Sequence, residues 1–338
     1  MKAVALSKYL PISDPESLFD CELNKPIPHK RDVLVKIEAV SVNPVDTKIR
    51  SPKSQVEDKP KVLGWDACGT VTEVGDSTSL FKEGDRVFYA GDITRAGSNS
   101  EYQLVDERIV GRAPNHLSAE EAAAMPLTTI TAWEALFDRM QIEKDKQSNK
   151  GKALLIIGGA GGVGSIAIQI AAKFAGLKVI ATASKPESIA WCEQMGAQHV
   201  INHYRDIHAQ LSELGIGMCD YILCCNSTDM HFETMVEVIK PQGSICCIVD
   251  NTAPLPIEQL KAKSARLAWE FMFTRSMFQT NDMIEQHHIL NKVAELLDQG
   301  VLKTTLTQTL KPMNAATLRT AHEILEAGKM VGKLVISV

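Results

Sequence analysis

Two hydrophobic rhythms divide this chain of 338 residues. In its first part apolar and polar positions alternate in short runs. Asp32-Val33-Leu34-Val35-Lys36-Ile37-Glu38-Ala39-Val40 is one and Gly69-Thr70-Val71-Thr72-Glu73-Val74-Gly75 another. A turn signal at Gly84-Asp85 marks a third strand, Asp85-Arg86-Val87-Phe88-Tyr89, which does not alternate. Period-two alternation turns one face to a core and the other to solvent, so the first two runs predict half-buried strands. Met1-Lys2-Ala3-Val4-Ala5-Leu6 reads as a first strand and lacks the long apolar core of a signal peptide. From about residue 126 the rhythm changes to compact apolar runs separated by helical stretches. Leu154–Ile157, Lys178–Ala183, His199–Ile201, Asp220–Cys225 and Gly243–Val249 predict buried strands, with a helix over His231–Ile239. The charged segment Glu143–Lys152 reads as an exposed loop. Past residue 262, Ile289, Val293, Leu296 and Leu297 mark one face of a helix over 285–299, capped by Gly300. Asn314–Leu325 is a further helix and Lys333–Val338 a closing strand. Strands alternating with helices predict a doubly wound α/β domain over 126–262. The short alternating strands predict a separate β-rich domain made of 1–125 and 263–338.

The first apolar run of the α/β part stops at Gly158-Gly159-Ala160-Gly161-Gly162-Val163-Gly164, and a helical pattern of Ile166, Ala167, Ile170, Ala171 and Phe174 follows. Gly159, Gly161 and Gly164 fit G-x-G-x-x-G between a strand and a helix. That spacing allows a tight turn, close approach of a pyrophosphate and close helix–strand packing, with unpaired N–H groups at the helix start. The next strand ends Thr182-Ala183-Ser184-Lys185-Pro186, with no carboxylate for a ribose 2′-hydroxyl. Ser184 and Lys185 suit a 2′-phosphate instead, which predicts NADP(H).

Composition narrows the setting. The formal net charge is −5 with no long basic run, which excludes nucleic acid as the expected partner. No apolar stretch is long enough to span a bilayer, and a cytosolic protein is expected. The eight cysteines show no C-x-x-C spacing. Cys224-Cys225 and Cys246-Cys247 are strand neighbours pointing to opposite faces, so they read as reduced, buried thiols.

Five motifs in this order resemble the medium-chain dehydrogenase/reductase superfamily over essentially the whole chain. They are Val42-Asn43-Pro44-Val45-Asp46, Gly64-Trp65-Asp66-Ala67-Cys68-Gly69-Thr70-Val71, Leu127-Thr128-Thr129-Ile130-Thr131-Ala132-Trp133-Glu134-Ala135-Leu136, the glycine motif, and Trp269-Glu270-Phe271-Met272-Phe273-Thr274-Arg275. The chain is similar to the metal-free quinone oxidoreductase branch, including zeta-crystallin, and to proteins labelled zinc-type alcohol dehydrogenase-like. The resemblance implies a GroES-like β-rich catalytic domain beside a Rossmann cofactor domain, and a homodimer. At the places of the zinc ligands this chain has Asn43, Trp65-Asp66 and Leu127, and the segment from Tyr89 to Pro114 has no cysteine for a structural zinc lobe. Asn, indole and an alkyl chain cannot form the N/S/O site zinc requires, and Asp46 and Asp66 without a nitrogen or sulfur partner make a poor one, so no metal is expected. The adjacent pair His287-His288 diverges on a helix and reads as a surface pair.

Oxidation of a simple alcohol develops alkoxide charge that a metal stabilises. Without one, quinones and α,β-unsaturated carbonyls are the easier substrates, because the charge delocalises. The expected function is therefore NADPH-dependent reduction of these small molecules. The alternatives are an enoyl thioester reductase and an NADPH-binding structural or regulatory protein with little turnover. The resemblance places Asn43, Pro44, Val45 and Thr131 beside the nicotinamide, and Gly159, Gly161, Gly162, Val163 and Gly164 on the pyrophosphate. Ser184, Lys185 and His203 fall at the 2′-phosphate, and Cys225, Asn226, Ile248, Val249 and Asp250 at strand ends facing the cofactor. Asn43, Asp46, Lys48 and Thr131 are the catalytic candidates, Asp46 with a structural hydrogen bond as its expected role and Lys48 as a polarising group. Trp65, Tyr89, Trp269 and Phe271 are candidate pocket walls.

Overall fold

The computed structural model describes residues 1–338 and divides into two compact units. One is Met1–Leu127, Phe273–Gly300 and Thr304–Val338; the other is Thr128–Met272 and Val301–Lys303. The chain begins in the first unit with β1 (Lys2–Tyr9), β2 (Phe19–Glu22), β3 (Asp32–Val42), α1 (Pro44–Arg50), β4 (Lys53–Val62) and β5 (Asp66–Val74). There follow β6 (Arg86–Tyr89), β7 (Tyr102–Asp106), β8 (Val110–Arg112), α2 (Ala119–Ala123) and α3 (Pro126–Trp133), most of which belongs to the second unit. The second unit continues with β9 (Ala153–Ile157), α4 (Gly162–Gln169), β10 (Lys178–Thr182), α5 (Pro186–Met195), β11 (His199–Ile201) and α6 (Ile207–Glu213). It ends with β12 (Cys219–Cys224), α7 (Thr228–Val238), β13 (Ile239–Cys247) and β14 (Arg266–Trp269). The first unit is completed by α8 (Thr274–Phe278), α9 (Glu285–Asp298), β15 (Leu306–Leu310), α10 (Ala315–Glu326) and β16 (Lys333–Ser337).

The first unit holds a three-stranded sheet, β2-β1-β4, and a seven-stranded sheet in the order β15-β16-β3-β5-β6-β8, with β7 also on β3. β3 is central: β5 pairs antiparallel with it from Val33 to Ser41, while β7 pairs with Asp32–Lys36 and β16 with Ala39–Val42, as in Leu334↔Val42 and Ile336↔Val40. Nearly every β3 side chain is buried, so the sequence alternation is weaker than for a strand with one wet face. α9 buries Ile289, Leu290, Val293, Leu296 and Leu297, as its periodicity predicts. It lies so close to β8 that a Cβ on Gly111 would stand 2.4 Å from Leu290 Cβ.

The second unit is a six-stranded parallel sheet in the order β11-β10-β9-β12-β13-β14. Neighbours of the first strand lie on both sides, the doubly wound pattern, and the crevice at the reversal is where such sheets bind ligands. β9 is buried on both faces, with Leu154, Leu155 and Ile156 at 0% exposure. Each such side chain stabilises the fold by about 1.5–3 kcal/mol, and Leu155→Ala should cost about 2–5 kcal/mol. One boundary differs from expectation. The hydrophobic pattern places everything from 263 in the β-rich domain, whereas Arg266–Trp269 is a sixth parallel strand beside β13 and the second unit runs to Met272. Six of the eight cysteines are buried and all are free. Burial pushes the Cys68, Cys192 and Cys219 thiols up to about 12.

Candidate active site

In the second unit β9 runs into Gly158, whose φ of +83° suits glycine. Its N–H donates to Thr182 Oγ1 (3.0 Å), which ties the loop to the end of β10. The motif glycines do different work. A Cβ on Gly159 would lie 2.7 Å from Ala181 Cβ, and one on Gly164 would lie 2.4 Å from the Gly158 carbonyl oxygen. Those two permit helix and strand to pack. Gly161 is different: a Cβ there would meet only the Gly158 oxygen, at 3.7 Å. Gly161 is also the N-cap of α4, and no side chain caps that helix. Half-buried Gly162 and Val163 form its first turn. The helix start therefore presents N–H groups and open space together, a cradle for an anion.

The parallel sheet brings the other strand ends to the same side. Ala183 is buried after β10, Ser184 is half-buried, and exposed Lys185 is the N-cap of α5. No carboxylate occupies this strand end; Glu187 is exposed in the first turn of α5. His203, half-buried after β11, lies 4.4 Å from the Tyr204 ring and 6.4 Å from that of His231, centroid to centroid. Burial lowers its pKa, so it offers a neutral ring rather than a cation. Exposed Tyr204 and Arg205 share this turn. Half-buried Cys225 and exposed Asn226 follow β12, and Asn226 Cβ would be 3.3 Å from a Cβ on Gly158. Half-buried Ile248 and Val249 and exposed Asp250 follow β13. Thr131, 6% exposed, sits on α3.

In the first unit the Asn43–Asp46 turn is a buried polar cluster. Asn43 caps α1, and its backbone N–H donates to Asp46 Oδ2. Its amide is saturated: Nδ2 donates to Ser41 O (3.2 Å) and Asp66 Oδ2 (2.9 Å), while Oδ1 accepts from Lys333 Nζ. Lys333 also donates to Asp66 Oδ2 (3.2 Å) and Val42 O (3.3 Å). Asp66 Oδ1 accepts from the backbone N–H of Leu127 (2.7 Å). Asp66 thus faces the ammonium out of water, while buried Asp46 is held by the Asn43 backbone. Burial raises the Asp66 pKa against the pull of Lys333, and pushes Asp46 up to about 7. Pro44 and Lys48 are exposed on α1, and Val45 is half-buried. Lys333 was not anticipated; a lysine opening an apolar terminal strand looks like an exposed end.

The four aromatic wall candidates separate. Trp65 and Tyr89 are 1% and 0% exposed, so neither lines an open pocket. Trp65 donates from Nε1 to Asp92 O (3.1 Å) and meets Phe273 edge-on at 6.2 Å, as a core side chain does. Trp269 and Phe271 are 44% and 47% exposed. Trp269 ends the edge strand β14 and borders a concavity of about 620 Å³ with Leu255, Ile257 and Leu267. His287 and His288 diverge but are not a surface pair: His287 is half-buried, edge-on to Phe81 at 5.6 Å with Nδ1 2.6 Å from Val110 O, and only His288 is exposed, its Nδ1 3.2 Å from Glu285.

Two family models match: "Alcohol dehydrogenase GroES-like domain" over residues 29–123 and "Zinc-binding dehydrogenase" over 195–336. A zinc-type alcohol dehydrogenase-like protein of Staphylococcus epidermidis is 44% identical, covering 100% of this chain and 99% of that protein. This chain belongs to the medium-chain dehydrogenase/reductase superfamily. The superfamily's GroES-like and Rossmann-type parts correspond to its β-rich and parallel sheets, and it is an oxidoreductase. The 2-methylene-furan-3-one reductase of Solanum lycopersicum is 31% identical over 93% of this chain and 74% of its own length. The quinone oxidoreductase of Lama guanicoe is 31% identical over 82% and 83%. Among solved structures, a Rhizobium etli CFN 42 protein assigned to the zinc-dependent alcohol dehydrogenases has 50% identity and a TM-score of 0.95, covering 100% of this chain and 98% of that one. Escherichia coli quinone oxidoreductase, solved with NADPH, has 25% identity and a TM-score of 0.83 with both chains fully covered.

The zinc in several of these descriptions can be tested against the residues of this superfamily member. Zinc takes thiolates, imidazoles and carboxylates in a tetrahedron. The Asn43 cluster offers an amide and two carboxylates, and the amide oxygen and Asp66 are already bonded to an ammonium. No group of three His, Cys, Asp or Glu residues is placed to hold an ion. The donor set does not fit zinc.

Proposed function

We propose that this medium-chain dehydrogenase/reductase reduces quinones or α,β-unsaturated carbonyls with NADPH and without zinc. The observation that carries the reading is the lysine-filled Asn43–Asp66 cluster. A site whose donors are engaged with an ammonium lacks the Lewis acid that stabilises an alkoxide. Conjugated acceptors need it least, because added hydride leaves a delocalised enolate or hydroquinone anion. The relatives named for quinones and for a methylene-furanone agree with that substrate class.

When bound, the nicotinamide supplies the hydride; the chain's own groups bind and orient. The N–H groups at the start of α4 and the space at Gly161 would take the pyrophosphate. Ser184 and Lys185 would take a 2′-phosphate, and no acidic side chain at the end of β10 competes for it. Asn43, Pro44, Val45 and Thr131 are assigned to the nicotinamide end. With its amide saturated, Asn43 acts there by shape rather than as a proton donor. The titratable groups of this turn are Lys48, exposed, and Asp46, which holds a proton to about pH 7. The test follows NADPH consumption with a panel of quinones, enones and simple carbonyls, with and without a strong chelator. Turnover of the conjugated acceptors that survives chelation is expected. Loss of activity on chelation with recovery on adding zinc, or turnover of simple carbonyls alone, would overturn the reading.

A further inference from the structure

Lys333 opens the apolar strand β16, and its side chain is only 4% exposed. Burying an ammonium costs several kcal/mol unless it is fully bonded. An ammonium has three N–H donors and no acceptor. Here all three are used: one on Val42 O, one on Asn43 Oδ1 and one on Asp66 Oδ2. No donor remains for substrate, so Lys333 is not a proton source. Its bonds draw together the end of β3 and the start of β5 from the start of β16. Asp66 extends the tie to Leu127, and Asn43 extends it to Ser41 and Asp46. A bound metal ion would do the same work: one positive centre joining oxygen donors from separated segments.

We propose that the Lys333 ammonium is the resident cation of this site, standing where a metal would bridge Asn43 and Asp66, and that it is a positioning residue for the Asn43–Asp46 turn. The inference rests on the metal-free reading above and deepens it. It assigns the place of the missing metal to one side chain of this chain. Two consequences separate this role from general stabilisation. The wild-type cluster should refuse metal because it is already occupied. The effect of removing Lys333 should also follow the charge rather than the bulk of the side chain.

The experiment compares wild type, Lys333→Met and Lys333→Arg. Methionine keeps much of the apolar stem and removes the charge; arginine keeps the charge in a larger head. After incubation with zinc and gel filtration, wild type should retain well below one zinc per chain. Lys333→Met should lower kcat/KM for the acceptor tenfold or more and lower the unfolding midpoint. Its affinity for NADPH, whose assigned phosphate contacts are in the other unit, should change less than threefold. Lys333→Arg should recover at least a third of the lost kcat/KM. One zinc per wild-type chain that disappears in Asp66→Asn would overturn the proposal. So would a Lys333→Met variant with wild-type kcat/KM and unfolding midpoint, or a Lys333→Arg variant no better than Lys333→Met. If Lys333→Met does not fold, zinc retention by wild type and the activity of Lys333→Arg still decide. Zinc retention and the unfolding midpoint need no turnover. A protein inactive on quinones and enones would therefore sink the functional reading while these two measurements still judged the cation.

Discussion

Gly161→Val separates a glycine kept for a ligand from one kept for the fold. Gly161 has φ −72° and ψ 175°, which a valine adopts without strain. The new Cβ would meet only the Gly158 oxygen at 3.7 Å, an ordinary contact. Two small effects on stability oppose each other. Losing a flexible glycine from the unfolded chain stabilises by about 0.4–1 kcal/mol. A valine at an N-cap is unfavourable by about 0.5–1 kcal/mol. The unfolding midpoint should therefore move little. Binding is another matter, because the branched side chain fills the space over the start of α4. Hydrogen bonds to a charged partner contribute about 1.5–3 kcal/mol each. Losing one of them should weaken NADPH by roughly 10–150-fold. Titration calorimetry measures the affinity, and thermal unfolding measures the fold. Gly164→Val is the control, since its Cβ would stand 2.4 Å from backbone and should damage the fold itself. A folded Gly161→Val protein that binds NADPH within threefold of wild type would refute the assignment of the cradle. An unfolded one would refute the argument from open space.

Three further outcomes are expected. NADPH should bind at least tenfold tighter than NADH, about 1.4 kcal/mol, and Lys185→Glu should weaken NADPH more than NADH in a fluorescence titration; equal affinities would contradict the 2′-phosphate site. Asp46 keeps its proton to about pH 7 when folded, against an ordinary value of 3.8, so the folded chain binds more protons across that window. Stability should fall as pH rises through it and level off above, and Asp46→Asn should flatten the urea-unfolding profile; an unchanged slope would remove Asp46 as its source. We also propose a homodimer, which light scattering should report as twice the chain mass; a mass of one chain at micromolar concentration would exclude it.

The parts of this molecule that were legible in sequence are those set by local pattern. The glycine loop, the buried run at β9, the amphipathic face of α9 and the helix α10 lie where spacing put them. β14 escaped because it is four residues long, lies at a sheet edge and has no fully buried side chain. β4 escaped because Lys53–Val62 is polar and mostly exposed, so no alternation betrays it. The first-unit cluster was half legible. Asn43, Asp46 and Asp66 stood inside recognisable motifs, but their cation lies 267 residues beyond Asp66. No local rule links them, and a lysine reads as exposed until its partners are placed. Trp65 and Tyr89 show the same limit, since composition does not distinguish an aromatic lining a pocket from one filling a core.

The pairing of β3 with β16 bears on how the molecule is made. Ser41 donates to the Leu334 carbonyl oxygen across a separation of 293 residues. At a translation rate of about 5–20 residues per second, the Ala39–Val42 end of β3 must wait roughly 15–60 s after synthesis for β16. β5 and β7 can pair with β3 early, but the edge reserved for β16 stays open while the whole second unit emerges. That second unit is nearly continuous in sequence and can close its sheet first. The nascent chain therefore carries an unpaired strand edge, and beside it the Asp66 carboxylate without its lysine, until β16 leaves the ribosome. Ribosome-bound chains ending before Lys333 should be protease-resistant over 128–272 and sensitive around β3.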